Sequence, residues 1–295
     1  MSFFIRKYQL TDEQQTMHLM NNTESSEMLA NKIQNDQFTD GFCAWIDKQI
    51  IGTIFTWKNN FHPNGLYLEI TLHPAYFQQN IVEALFHAVE RENTKNKPYQ
   101  ASFADSNQQG KQIYEWLGFH MMRKTFMPTL SIQSIEAPNY FTNQKYFRTL
   151  KQIETNRQLV KNLTEHVKKY YEMTHQANPV ATFSNQIWEK LIFAPDLLLE
   201  DSYVYLNEQA DDILAYSFLH TAKDEQTYEL GWCAYQSEKD QQMLLDLVKK
   251  QIDHMKVKKI HTLIGEFDTT DPYAMKIYRS FPFDSCIPFI TYQKR

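Results

Sequence analysis

Two stretches of this chain, 164 residues apart, carry the same residue pattern, and that repeat limits the fold more than any other feature. Ile113-Tyr114-Glu115-Trp116-Leu117-Gly118-Phe119 lines up with Ile277-Tyr278-Arg279-Ser280-Phe281-Pro282-Phe283, and the same offset sets Asn107 on Asp271. At an offset of 163 the helical face Ile81, Ala84, Leu85, Val89 falls on Leu244, Leu247, Val248, Ile252. Self-similarity over such a span predicts two copies of one domain. A length of 295 residues leaves room for both.

Hydrophobic periodicity fills in each copy. In the first, strands are expected at Phe4–Tyr8, Phe42–Ile46, Ile50–Trp57, Leu66–Leu72, Tyr99–Ala104 and within Phe119–Ile132. Thr11 and Gln14 have the spacing of a capping box opening a helix through Met17 and Met20, and a second helix carries Met28, Leu29 and Ile33. Further helices are expected over Ile81–Val89 and Asn107–Leu117. The second copy repeats the order: a strand at Tyr146–Leu150, a long helix through Ile153, Val160, Leu163, Val167 and Tyr171, and strands at Tyr203–Leu206, Ile213–Leu219 and Tyr228–Ala234. A helix through Leu244–Ile252, a strand at Ile260–Phe267, a helix capped by Asp271-Pro272 and a last strand at Ile287–Tyr292 complete it. The fold class is therefore α/β with mixed sheets. The domains are read as residues 1–135 and 145–295, joined by an aperiodic, Pro138-containing linker at 136–144.

Composition removes several functions. Seven glycines, no two closer than eight positions, leave no dinucleotide fingerprint and no P-loop. Cys43, Cys233 and Cys286 are too scattered for a zinc knuckle or a disulfide framework, so no metal is expected and the thiols read as reduced, which favours the cytoplasm. A net charge of −5 without a basic stripe argues against nucleic acid as a partner. The longest apolar run, Leu191–Leu199, is broken by Pro195 and Asp196, so no membrane span is expected.

Asn107-x-x-Gly110-x-x-Ile113-Tyr114-x-x-x-Gly118-Phe119 resembles the N-x-x-A-x-x-L-Y-x-x-x-G-F motif of the GNAT superfamily of N-acetyltransferases. Leu72-His73-Pro74-Ala75-Tyr76 is similar to the end of that family's fourth strand, and the helix from Ile81 begins where its pyrophosphate-binding helix begins. The second copy resembles the same family with more erosion. The resemblance covers nearly the whole chain as a tandem pair and implies acetyl-CoA as co-substrate and an amine as acceptor.

By that resemblance Tyr114 is the general acid for the departing thiolate, against a plain reading as a core aromatic. Glu69 is the base for the acceptor amine, against a solvent-facing strand residue, and His73 is a second candidate base. The Leu72 N–H would polarise the thioester carbonyl. Gln78, Gln79, Asn80, Ile81 and Val82 would present the helix N-terminus to the pyrophosphate. Asn107 would bond the pantetheine arm, or cap its helix. Where the family writes Arg or Gln, then Gly, then Gly or Ala, this chain has Phe77, Asn80 and Val82. In the second copy Glu238 and Asp240 occupy the corresponding turn and would repel a pyrophosphate. The first copy is thus the candidate for acetyl-CoA, and the alternative is a catalytically inactive pair of such folds acting as a binding or regulatory module.

Overall fold

The computed structural model describes residues 2–23, 27–135 and 142–295. In chain order its strands are β1 (Phe4–Lys7), β2 (Asp40–Ile46), β3 (Gln49–Trp57), β4 (Leu66–Leu72), β5 (Tyr99–Ala104), β6 (His120–Phe126), β7 (Thr129–Ser131), β8 (Phe147–Thr149), β9 (Tyr203–Leu206), β10 (Ile213–Thr221), β11 (Thr227–Tyr235), β12 (Thr262–Gly265), β13 (Phe267–Asp268) and β14 (Phe289–Lys294). The helices are α1 (Glu13–Asn21), α2 (Glu27–Gln34), α3 (Gln79–Glu92), α4 (Gln108–Trp116), α5 (Leu150–Ile153), α6 (Arg157–Thr174), α7 (Asn185–Ile192), α8 (Gln241–Val257) and α9 (Pro272–Ser280). Two compact units result. The first comprises Met1–Lys124, Ala177–Ala181 and Ile287–Arg295, the second Thr125–Gln176 and Thr182–Cys286.

In the first unit the strands follow the order β1-β2-β3-β4-β5-β14-β6. Strand β4 is antiparallel to β3 and parallel to β5. Period-two alternation sorts β4: Leu66, Leu68, Ile70 and Leu72 join Ile81, Leu85, Ala88 and Val89 of α3 in one core. On the opposite face Phe55, Trp57 and Tyr67 pack with Met20, Leu29 and Ile33 of α1 and α2. Each such aliphatic side chain contributes about 1.5–3 kcal/mol on full burial, so both amphipathic helices are held by the sheet. Helix α4 stops at Gly118, whose φ of +74° lets Phe119 N–H bond the Tyr114 carbonyl at 2.9 Å.

The second unit carries the order β7-β12-β11-β10-β9-β8, with β11 parallel to β12, and β13 pairs Phe267 and Asp268 with Phe126 and Thr125. Its buried residues include Leu244, Leu247, Val248 and Ile252 of α8, Leu163 and Val167 of α6, and Trp188 of α7.

Several sequence expectations change. The Thr11–Gln14 capping box does not form. Instead a 3-10 turn at Leu10–Asp12 precedes α1, and buried Asp12 accepts from Gln9 N–H at 2.9 Å and from both Arg6 guanidinium nitrogens at 2.6 and 2.7 Å. The carboxylate of Asp12, held by Arg6 on the neighbouring strand, rather than the Thr11 hydroxyl, meets a backbone N–H at this turn. The long helix expected from Ile153 is split, because Asn156 caps a fresh start by accepting from Gln158 and Leu159 N–H. Helix α7 lies outside the expected elements, and the Ile260–Phe267 strand is interrupted at Glu266. Above all, the last strand pairs with β5 in the first unit, Phe289 opposite Ala104 through Lys294 opposite Tyr99, rather than closing the second copy. Of the linker read at 136–144, residues 136–141 lie outside the described residues.

Candidate functional site

The parallel ladder between β4 and β5 holds only Leu66 to Tyr99 and Tyr67 to Gln100. Beyond Tyr67, β4 stays paired with β3 alone, through Gly52 opposite Leu72. Which backbone groups face the resulting fork follows from hydrogen-bond alternation. His73 N–H donates to the Ile51 carbonyl at 2.9 Å, one step beyond the Gly52–Leu72 pair. Bonded pairs alternate in an antiparallel ladder, so Ile70 and Leu72, beyond the last β5 pair, turn their N–H groups away from β3, towards the side that β5 has left. Gly52 keeps this end tight. A Cβ there would stand 2.5 Å from a Leu72 methyl.

Tyr114 reaches that edge from α4. Its hydroxyl accepts from Ile70 N–H at 3.3 Å, and its ring stacks on Phe103 of β5 at 5.2 Å with Phe119 edge-on at 5.3 Å. Burial, followed by the nearby Glu69 charge, pushes its ionisation far above the usual tyrosine range, against the opposing pull of the Ile70 N–H. The group therefore keeps its proton, and because it accepts from Ile70 that proton is free to be given. Glu69, half-buried, lies on the face of β4 opposite Ile70. Tyr114, Glu69 and Leu72 thus gather on the last four residues of one strand.

Asn107 takes the capping role: its Oδ1 accepts from Gly110 N–H at 2.6 Å. It also lines a groove of about 620 Å³ with Pro74, Asn22 and Thr23. A neighbouring cavity of about 590 Å³, lined by His18, Leu19, His73 and Pro74, opens beside the same end of β4. His73 caps the turn after the strand, its Nδ1 accepting from Ala75 N–H at 3.2 Å.

At the start of α3, Gln78, Gln79 and Asn80 are exposed, whereas the Ile81 and Val82 side chains are in the core. The Ile81 and Val82 N–H groups donate to the Gln78 carbonyl at 3.2 and 3.3 Å. Those of Gln79 and Asn80 meet no acceptor among the described residues. With no acidic residue in this first turn, two open donors at the positive end of a 14-residue helix form a fit for an anion. None of Gln78–Val82 lines either of the two cavities at the end of β4.

Sequence reasoning missed Asn22 and Thr23, which carry no motif, and Tyr292, whose ring lies 5.6 Å from Phe103 and 6.5 Å from Tyr114. Nothing in the residues around Tyr292 announces that the chain's last strand reaches this site.

Residues 9–128 match the model of the acetyltransferase (GNAT) domain. The fold over 99% of the chain is similar to that of a GCN5-related N-acetyltransferase from Sphaerobacter thermophilus, at 12% identity over 95% of that chain and a TM-score of 0.62. It is also similar to a GCN5-related glucosamine N-acetyltransferase region of a fungal multi-domain β-N-acetylglucosaminidase, at 11% identity, 38% of that chain and a TM-score of 0.63. None of the curated proteins matches the chain in sequence.

Proposed function

Starting from a chain whose residues 9–128 carry a GNAT acetyltransferase domain, within a fold shared with GNAT enzymes over nearly its whole length, we propose that the first unit transfers an acetyl group from acetyl-CoA to an amine. The observation that carries this reading is the β4–β5 fork, with the Ile70 and Leu72 N–H groups turned into it and the proton-bearing Tyr114 hydroxyl at its edge.

Bound acetyl-CoA supplies an activated thioester. The Leu72 N–H would hold the carbonyl oxygen as negative charge builds there, and the N–H groups of Gln79 and Asn80, opening α3, would take the pyrophosphate. Asn107, with one amide oxygen committed to its cap, offers its Nδ2 to the pantetheine arm. Glu69 takes the proton from the attacking amine, directly or through water, as the C–N bond forms. Tyr114 gives its proton to the sulfur as the C–S bond breaks. The acceptor would enter from the groove beside Asn22 and Pro74, and the free thiols fit a reducing compartment such as the cytoplasm. The repeat boundaries at 135 and 145 belong to the same proposal: two tandem copies of one fold, the last strand of the second built into the first unit.

A second reading, a catalytically inactive module, is favoured by one feature. The Ile81 and Val82 N–H groups are already spent on the Gln78 carbonyl, which halves the donors open to a pyrophosphate. Calorimetric titration of acetyl-CoA into the intact chain separates the two. One site per chain at micromolar affinity, about −8 kcal/mol, is the result expected of the enzyme. An absence of heat at millimolar ligand overturns it in favour of the inactive module.

A further inference from the structure

Helix α1 of the first unit is seated on a floor of mixed chemistry. Arg6, Cys43 and Thr53 stand opposite one another on β1, β2 and β3, and Leu19 of α1 packs with Cys43, Trp45 and Ile50. The apolar side chains that α1 buries are Leu19 and Met20, beside a buried Thr16, whereas α3 on the other face of the sheet buries six. Apolar burial is what holds a short helix to a sheet, so α1 is the weakly held member of the pair.

The seat also carries a polar penalty. Thr16 Oγ1, Thr53 Oγ1 and Trp45 Nε1 are buried and meet no nitrogen or oxygen partner among the described residues. Beside the Thr16 hydroxyl stands only the Cys43 thiol, a weakly bonding group. A polar group that gives up water without a replacement destabilises the state that buries it. All three would regain water if the helix lifted. Burial, with the Asp12 charge adding to it, pushes the Cys43 thiol up to about 12, so the thiol is inert while α1 is seated.

The length of the helix is held unevenly. Its start is pinned, because Asp12 takes both Arg6 guanidinium nitrogens at 2.6 and 2.7 Å. One turn on, Gln15 Oε1 accepts from Ile50 N–H at 3.2 Å, a bond between an exposed side chain and the first turn of β3. Past Gln15 the helix is undercut. The cavity of about 590 Å³ has His18, Leu19 and Asn22 on one side and Gln49, Ile50 and His73 on the other. A pinned start, a single polar latch and an undercut end are the parts of a hinged element. We propose that α1 is a lid: it hinges at Asp12, releases the Gln15–Ile50 hydrogen bond and lifts from the sheet while the strands stay paired, opening this cavity at the end of β4. Its use as a gate for the acceptor rests on the acetyl-transfer reading of the first unit, whereas its movement does not.

Cys43 reports the movement, since lifting α1 uncovers it. The full-length protein is alkylated with iodoacetamide at a series of urea concentrations below its unfolding transition, with the modified peptides identified by mass spectrometry and amide hydrogen exchange followed in parallel. Cys43 is expected to react at a rate that hardly changes with urea, while the β2 and β3 amides and Cys233 stay protected. Thr16→Val with Thr53→Val removes the two unpaired hydroxyls at nearly constant shape and should slow the Cys43 reaction tenfold or more. Gln15→Ala, which removes the latch, should speed it severalfold. The proposal is overturned if Cys43 stays unreacted, if its rate climbs with urea as steeply as the loss of β3 amide protection, or if the valines speed the reaction. The wild-type urea series decides alone should the double variant fail to fold. Labelling needs neither acetyl-CoA nor turnover, so a lid that opens in a chain without affinity for acetyl-CoA upholds this proposal and overturns only the enzyme reading.

Discussion

At the scale of single residues, Tyr114 and Asp271 occupy equivalent motifs yet do different work. Tyr114 is fixed by a backbone donor and stacked rings, so Tyr114→Phe should leave acetyl-CoA affinity nearly intact while lowering turnover about 10²-fold or more. Measuring kcat and the acetyl-CoA Kd on the same variant checks this, and full turnover would remove Tyr114 from the mechanism. Asp271 caps α9, accepting from Tyr273 and Ala274 N–H at 2.9 and 3.0 Å, but burial raises its pKa from 3.8 to about 6, with Asp268 adding to the rise. A carboxyl whose folded pKa is raised holds its proton longer in the folded state than in the unfolded one. Its contribution to stability is therefore present below pH 4 and is lost as pH rises from about 4 to 6, at about 1.4 kcal/mol for each tenfold difference in proton affinity between the two states. Asp271→Asn should raise the Tm at pH 7.5 relative to wild type, and should not do so at pH 4. Thermal unfolding at the two pH values tests the sign.

Among elements, the start of α3 is the most informative, because helix stability and anion binding pull in opposite directions there. Asn80→Asp places a carboxylate in a first turn that has none. That should stabilise the helix by roughly 0.3–1 kcal/mol while weakening acetyl-CoA several-fold, and calorimetry beside thermal unfolding would show both changes. Restoring the family's glycines would be a poorer test at Val82, which is wholly buried, so that its removal opens a cavity in the core. Asn80→Gly alone clears the approach to the backbone N–H groups without touching the core, because the Asn80 side chain is exposed. At the other end of α4, Gly118→Ala forces a side chain to φ +74° and should cost about 1–2 kcal/mol, seen as a lower denaturation midpoint.

For the molecule as a whole, the decisive element is β14. Removing residues 287–295 would strip β5 of six paired residues and the Tyr114–Phe103 stack of Tyr292. The truncated chain is expected to lose cooperative unfolding of the first unit, read as a lost transition in calorimetry. The amino-acid sequence by itself determined the elements whose side chains repeat with one period: β4 and β5 fall on the expected residues, and α3 and α4 within two or three, because burial of one face is a local pattern. It also carried Asn107, Tyr114 and Gly118, whose spacing is set by a single helix and its two caps. What it left open are the features decided between distant segments. The Asp12 carboxylate pairs with Arg6 on β1 while still accepting from Gln9 N–H. The separation of β4 from β5 turns N–H groups towards a space no residue type encodes. Strand β14 chooses β5 as its partner. A strand's own residues specify that it is a strand, whereas its partner is chosen by whichever edge offers unpaired backbone and a matching apolar face. That choice belongs to the tertiary structure alone, and it is the reason Tyr292 stands beside Tyr114.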